Sequence, residues 1–228
     1  MSDERYVHAW LLRVDGAWRR QSAAARASDL DAFCAAAARS EQRLAQHGYS
    51  TIGLRAEGEL LLWRMADGLE PIQETAADLL GSGIGRWMTP VISMVGLTRP
   101  SQYVKRSTPQ EQTLFTGDRS RYLVVYPFVK STEWYLASDE ERRSAMAGHI
   151  RVGHHYPQVR QLLAYSFGLD DQEFIVAYET DDLVAFQDLV RELRSTESRR
   201  ATLRDTPIVT GIHRPLGEAL QLISGPAA

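Results

Sequence analysis

Apolar and polar positions alternate along the first part of the chain in a way that predicts strands and helices in turn. Ser28 and Asp31 form a polar cap before an Ala-rich helical segment, and Gly48 is expected to end that helix. A turn at Glu57-Gly58 indicates a hairpin. The predicted elements are a strand at 6–14, a helix at 29–46, a hairpin of 49–56 and 59–65, a helix at 71–80 and a strand at 90–97.

The second part of the chain repeats this order. Ser138 and Glu141 have the spacing of a capping box, which places a helix start there. The segment from Leu183 to Leu193 has apolar residues at helical spacing and is strongly amphipathic. The predicted elements are a strand at 121–130, a helix at 138–154, a hairpin of 161–167 and 173–178, a helix at 182–193 and a strand at 208–212.

Each part therefore follows the order β-α-β-β-α-β, which is the ferredoxin-like order. The sequence predicts an α+β fold of two fused ferredoxin-like modules in a dimeric α+β barrel arrangement. The N-terminal module is expected at 1–98 and the C-terminal module at 119–228. Residues 99–118 contain Pro100, Pro109 and several Ser, Thr and Gln, so they are predicted to be a connector.

Composition narrows the class of protein. The 228 residues include 26 basic and 29 acidic side chains, a formal net charge of −3, which disfavours a nucleic-acid partner. The single cysteine, Cys34, cannot form an intrachain disulfide. The first residues do not have the pattern of a signal peptide, and no apolar stretch reaches the roughly 20 residues of a membrane span. We therefore expect a cytoplasmic protein without a membrane span.

Reactive side chains are concentrated between Tyr126 and Arg199. His149 lies among small apolar residues on one helical face, where a buried structural histidine is the more common case and a haem ligand the alternative. No cysteine or carboxylate stands four residues on, which argues against a closed zinc site. Tyr126 is either a core tyrosine or a redox-active phenol. Spacing alone leaves both questions open.

These residues together resemble the chlorite dismutase-like haem proteins, and specifically their coproheme decarboxylase branch. The matching motifs are Tyr126-Pro-Phe-Val-Lys130, Glu133-Trp-Tyr-Leu136, Asp139-Glu-Glu-Arg142, His149, Gly168-Leu-Asp-Asp171 and Leu193-Arg-Ser-Thr-Glu-Ser-Arg-Arg200. They cover most of the second part of the chain in register. The first part matches mainly in its element order.

The resemblance implies a role for each candidate site residue. His149 would be the iron ligand and Glu197 the acceptor that orients it. Gln161 takes the distal position where chlorite dismutases have arginine, and Tyr126 stands where the decarboxylases need a tyrosine. Further positions are implied to contact propionates or to form the wall of the site: Lys130, Trp134, Arg194 and Arg199.

The implied reaction is the peroxide-dependent decarboxylation of two propionates of iron coproporphyrin III (coproheme), which gives haem b. Coproheme would be both substrate and redox centre, haem b the product, and hydrogen peroxide the co-reactant. The family also implies a homo-oligomer, commonly a pentamer. Three alternatives remain: a chlorite dismutase, a non-catalytic haem carrier or sensor, and a structural barrel that binds no porphyrin.

Overall fold

The computed structural model describes residues 4–99 and 118–225, which fall into two compact units. One unit contains residues 4–95 together with 210–225. The other contains the described residues between 96 and 209. The connector predicted at 99–118 lies, apart from Arg99 and Asp118, outside the described residues.

The first unit is a sheet with helices on one side. Its strand β3 pairs antiparallel with β1 and with β2, so that Leu60 faces both Leu12 and Ser50. The strand order is β4-β1-β3-β2. A core of large apolar side chains that includes Trp18 and Phe33 joins this sheet to its helices. The elements are β1 (Tyr6–Val14), α1 (Ala23–Ser40), β2 (Ala45–Ser50), β3 (Leu60–Ala66), α2 (Leu69–Gly81) and β4 (Met88–Thr98).

Helix α1 differs from the prediction at both of its ends. It begins at Ala23 because the Ser22 side chain accepts a hydrogen bond from the Ala25 amide, and the alanines that follow are strong helix formers. It ends at Ser40. Gly48 does not stop a helix, since it lies inside β2 and faces Leu62 of β3 in the sheet. Ladder pairing with β3 therefore overrides the helical pattern predicted as far as residue 46.

The second unit has the same layered construction. Strand β7 pairs antiparallel with β5 and with β6, and Val176 faces both Tyr126 and Leu163. Two short elements, α3 and β8, were not predicted, because segments this brief carry no periodic signal. The elements are β5 (Tyr122–Lys130), α3 (Thr132–Leu136), α4 (Asp139–Gly153), β6 (Arg160–Tyr165), β7 (Phe174–Thr180), α5 (Leu183–Leu193) and β8 (Thr202–Arg204).

The tail of the chain returns to the first unit and corrects the predicted module boundary at 119–228. Strand β9 (Val209–His213) pairs with β2 through Ile212 and His213. Helix α6 (Leu216–Ser224) was not predicted, and it buries Ala219, Leu220 and Ile223 in the core that holds Trp18 and Phe33. The physical reason is apolar burial, since these three side chains complete the core of the first unit.

The α+β class and the ferredoxin-like sheets with their helices are confirmed. The dimeric barrel arrangement stays a prediction. Within the described ranges, no helix is both long enough and apolar enough to cross a membrane.

The capping box of α4 gives a test of how the helix carrying His149 is held. The Ser138 hydroxyl accepts from the Glu141 amide, and the Glu141 carboxylate accepts from the Ser138 amide. We expect Ser138→Ala to lower the free energy of unfolding by about 1 kcal/mol, measured by urea denaturation. Ser138→Asp keeps an acceptor and should retain most of the stability. Equal stabilities of wild type and Ser138→Ala would contradict this role of the cap.

Candidate functional site

The second unit contains a cavity of about 640 Å³. Its floor is one face of the sheet, because alternate residues of a strand point to the same side. Cofactor sites commonly have volumes of about 300–1,000 Å³, so the cavity is large enough for a macrocyclic ligand. The sheet residues at these alternate positions are Tyr126, Phe128 and Lys130 from β5, Gln161, Leu163 and Tyr165 from β6, and Phe174, Val176 and Tyr178 from β7. Leu97 of β4 and Leu162 of β6 also line the cavity.

Helices α4 and α5 provide the opposite wall of this cavity. The α4 residues that line it recur every three or four positions, which puts them on one helical face. The same holds for α5, where Leu189 and Leu193 stand four apart and Arg194 follows as the C-cap. The contributing residues are Arg142, Met146, His149, Ile150 and Gly153 of α4, together with its C-cap His154.

His149 is held in a neutral form that suits an iron ligand. Burial, and then the positive charge of Lys130, lower the pKa of His149 from its usual 6.5 to about 4. Its Nδ1 lies 3.2 Å from the Ser198 Oγ. A metal ligand needs a neutral imidazole with one ring nitrogen oriented by a neighbour, and His149 meets both conditions. In residues 4–99 and 118–225, no group of three or more His, Cys, Asp or Glu side chains could hold a metal ion.

The residue that contacts the ring of His149 is Ser198, whereas the orienting role expected of Glu197 stays a prediction. Both stand in a short 3-10 helix (Glu197–Ala201), in which neighbouring side chains point in different directions. The Glu197 side chain is 66% exposed and forms an ion pair with Arg200 at 3.3 Å. Ser198 is only 3% exposed and faces α4. The polar neighbour of His149 is therefore a hydroxyl group and carries no negative charge.

Lys130 supports the same 3-10 helix from the sheet. Its Nζ donates to the Ser198 carbonyl oxygen at 3.0 Å and to the Thr202 hydroxyl at 3.3 Å, and it lies 4.6 Å from the centre of the Trp134 ring. Burial, and then the charge of Arg199, lower the pKa of Lys130 to about 8, although Glu173 opposes them. Lys130 therefore lines the cavity while its ammonium group is engaged by protein atoms. Trp134, which is buried beside it, forms part of the wall.

Tyr126 lies at the floor with its ring stacked on Tyr178, at a centroid distance of 6.1 Å. Burial is the main cause that raises the pKa of Tyr126, while a hydrogen bond with Tyr178 and the charges of Arg194 and Arg199 act against it. The phenol is therefore protonated at neutral pH. A partly buried, protonated phenol that faces a cavity can donate a hydrogen bond or give up a hydrogen.

The cavity wall carries an excess of positive charge. Arg194 and Arg199 both contact the Oδ2 of Asp205, at 3.2 and 2.6 Å. Asp205 is the only acidic side chain among the described residues that line the cavity. The basic lining residues are Arg99, Lys130, Arg142, Arg194 and Arg199. A planar apolar ligand with several carboxylates matches an apolar floor and a basic rim.

The structure thus brings seven of the predicted site residues to one cavity and leaves Glu197 outside its lining. Ser198, Asp205 and Tyr178 also line the cavity and were not expected from the sequence. Ser198 directly follows Glu197, and nothing in the sequence says which of the two faces the helix. Tyr178 has a signal that could have been used, since it stands in the predicted strand 173–178, and this strand pairs with the strand of Tyr126. Asp205 stands in a segment with no periodic pattern.

The known proteins that resemble this chain are chlorite dismutases and a coproheme decarboxylase. The sequence model of a family described as chlorite dismutase matches residues 23–214. The chain is 39% identical over 165 residues to the coproheme decarboxylase of Mycolicibacterium smegmatis, covering 72% of this chain and 70% of the relative. It is 25% identical over 209 residues to the chlorite dismutase of Ideonella dechloratans, covering 88% and 73%.

A solved structure shows the same fold. A mutant chlorite dismutase from Candidatus Nitrospira defluvii superposes with a TM-score of 0.89 at 24% identity, over 98% of this chain and 97% of that chain. At this level of identity the likeness concerns the fold alone.

The low pKa of His149 predicts how stability depends on pH when the purified protein has no ligand. The pKa is about 4 in the folded chain and 6.5 as its ordinary value, so between these pH values the unfolded chain binds the extra proton. This contribution to the free energy of unfolding is therefore lost as pH falls from 6.5 to 4. Urea denaturation across this range should give a shallower pH slope for His149→Gln than for wild type.

A matched control for this measurement is His155→Gln, at the exposed histidine just beyond the same helix. It should keep the slope of wild type. Parallel slopes of wild type and His149→Gln would show that His149 is not buried in its neutral form.

Proposed function

The chain belongs to the chlorite dismutase family, and we propose that within this family it is a coproheme decarboxylase. The proposed reaction converts two propionates of iron coproporphyrin III into vinyl groups and gives haem b. The observation that carries the proposal is one cavity that combines a neutral His149, a protonated Tyr126 and a basic wall. The 39% identical relative, named coproheme decarboxylase, supports the same assignment.

The donor set of the cavity fits an iron porphyrin as the substrate. His149 would bind the iron through the ring nitrogen that does not face Ser198. Arg194 and Arg199 would receive propionate carboxylates, because guanidinium groups match carboxylates in charge and geometry. The apolar floor would contact the macrocycle, and Trp134 would close its edge. Lys130 would act by holding Ser198 and by its charge.

The chemistry of each step balances with hydrogen peroxide as the oxidant. A propionate side chain loses carbon dioxide, one proton and two electrons to become a vinyl group. Hydrogen peroxide takes up two electrons and two protons and becomes two molecules of water. The porphyrin iron supplies the oxidising power for this exchange when it is bound. The protein supplies orientation, charge and a path for hydrogen.

Tyr126 is the residue proposed to move that hydrogen. Once oxidised, its phenol oxygen takes a hydrogen atom from the β-carbon of a propionate, after which carbon dioxide and a second electron leave. Arg194 and Arg199 would hold the propionate beside Tyr126. Both arginines are near enough to the phenol for their charges to lower its pKa. Gln161 would assist peroxide on the distal side by hydrogen bonding, without adding charge.

A second candidate function is chlorite dismutation, favoured by the match to the Ideonella enzyme over 88% of this chain. Its identity to this chain is 25%, against 39% for the decarboxylase. Gln161 also brings no positive charge to the position where the resemblance implies arginine in chlorite dismutases. Chlorite dismutation is therefore the less favoured reaction.

The deciding experiment adds one equivalent of ferric coproheme to the purified protein, titrates hydrogen peroxide and follows porphyrin mass by chromatography. Two successive losses of a carboxyl group, ending at haem b, are expected. Tight binding with unchanged or bleached porphyrin would overturn the decarboxylase assignment in favour of a haem carrier or sensor. Sustained oxygen release from chlorite would instead support the dismutase.

Replacement of the phenol tests the role of Tyr126. Tyr126→Phe should bind coproheme as wild type does and lose at least about 100-fold in decarboxylation rate, because the group that moves hydrogen is missing. Tyr122→Phe is a matched control on the same strand, outside the cavity lining. Turnover by Tyr126→Phe at the rate of this control would rule out the hydrogen-transfer role.

Two adjacent substitutions test which residue orients His149. Ser198→Ala should weaken ferric coproheme binding by about 10-fold and shift the Soret band, since second-sphere partners of ligating histidines contribute on that scale. Glu197→Ala should leave both properties unchanged. The reverse pattern would restore Glu197 as the orienting residue.

The assembly and oxidant complete the proposal. We expect a homo-oligomer, with a pentamer as the first expectation, and hydrogen peroxide as co-reactant. Analytical ultracentrifugation of the purified protein measures the number of subunits in the oligomer.

A further inference from the structure

We propose that Asp205 is an internal competitor for the carboxylates of the substrate and thereby sets the affinity of the cavity for anionic porphyrins. The proposal rests on the function proposed above and concerns the same cavity. It gives Asp205 a task that neither the sequence analysis nor the reaction scheme assigns.

The first support is the way in which the three side chains meet. Both Arg194 and Arg199 contact the same oxygen, the Oδ2 of Asp205, at 3.2 and 2.6 Å. A carboxylate that fixes two arginines most strongly would use both oxygens in paired hydrogen bonds. Each guanidinium carries five N–H donors, so both retain donors for a second carboxylate.

The second support is accessibility. The side chains of Arg194, Arg199 and Asp205 are 46%, 34% and 20% exposed, and all three line the cavity. Ion pairs that water reaches are weak and exchange readily, typically at about 0–1 kcal/mol each. A ligand carboxylate entering the cavity can therefore replace Asp205 without a large penalty.

The third support is the balance of charge on this wall. Lys130, Tyr126, Arg194, Arg199 and Asp205 all line the same cavity, where Asp205 contacts both arginines. Three of them are basic and one is acidic. With Asp205 neutralised, the wall would hold an anion more strongly. Asp205 thus moderates the affinity for a polycarboxylate, which allows the product to leave.

The experiment compares the binding of two porphyrins to the complete protein. Ferric coproheme has four carboxylates, and its tetramethyl ester has none. Binding is followed by quenching of tryptophan fluorescence, since Trp134 lies in the cavity wall. Asp205→Asn should bind ferric coproheme about tenfold more tightly than wild type, and the gain should shrink at high salt. The ester should bind both proteins equally.

Asp188→Asn is a matched control, because Asp188 pairs with Arg191 at 2.8 Å and neither lines the cavity. It should leave the affinity for both porphyrins unchanged. Asp205→Ala, with folding checked by circular dichroism, provides a second way to remove the charge and should also tighten coproheme binding.

The outcomes separate this inference from the proposed function. Unchanged or weaker coproheme binding by both Asp205 variants would overturn it, since Asp205 would then only order the arginines. Equal tightening for coproheme and its ester would overturn it as well, because charge would not be the cause. Failure of wild type to bind coproheme at all would overturn both the proposed function and the inference.

Discussion

The site depends on one buried contact, in which Ser198 is held from two sides. The Lys130 ammonium group binds its carbonyl oxygen, and its hydroxyl faces the His149 ring. This contact joins strand β5, helix α4 and the 3-10 helix (Glu197–Ala201). Burial and the charge of the Lys130 ammonium group both disfavour a proton on the His149 imidazole, so the imidazole stays neutral.

The cavity has two kinds of lining, which follow from the two periodicities of the chain. Alternate strand residues give a mainly apolar floor with Phe128 and Val176, whereas two of the basic side chains come from a helix end and the segment after it. Arg194 is the C-cap of α5, and Arg199 lies in the 3-10 helix. The separation of apolar floor from basic wall therefore orients an amphiphilic ligand, with its apolar part on the floor and its anionic groups at the wall.

The sequence predicted most strands and the cap of α4 well, because these depend on local patterns. The strand predicted at 49–56 is an exception, since β2 spans Ala45–Ser50. Strand β1 was placed at its observed ends, and Ser138 with Glu141 located the start of α4. The family resemblance is confirmed, and it located the cavity residues from His149 to Arg199. It did not point to Ser198, the neighbour of Glu197 that contacts His149, because one residue of rotation in a 3-10 helix decides which side chain faces the ring. No local pattern encodes that rotation, since it is set by packing against α4.

The return of the tail to the first unit has a consequence for synthesis of the chain. Residues 96–209 leave the ribosome before α6 does. However, Ala219, Leu220 and Ile223 of α6 belong to the core of the first unit, together with Trp18. The core of the part made first can therefore be completed only after the whole site-bearing unit has emerged. Until α6 is made, the incomplete core of the first unit exposes apolar surface, and such surface promotes aggregation of a nascent chain.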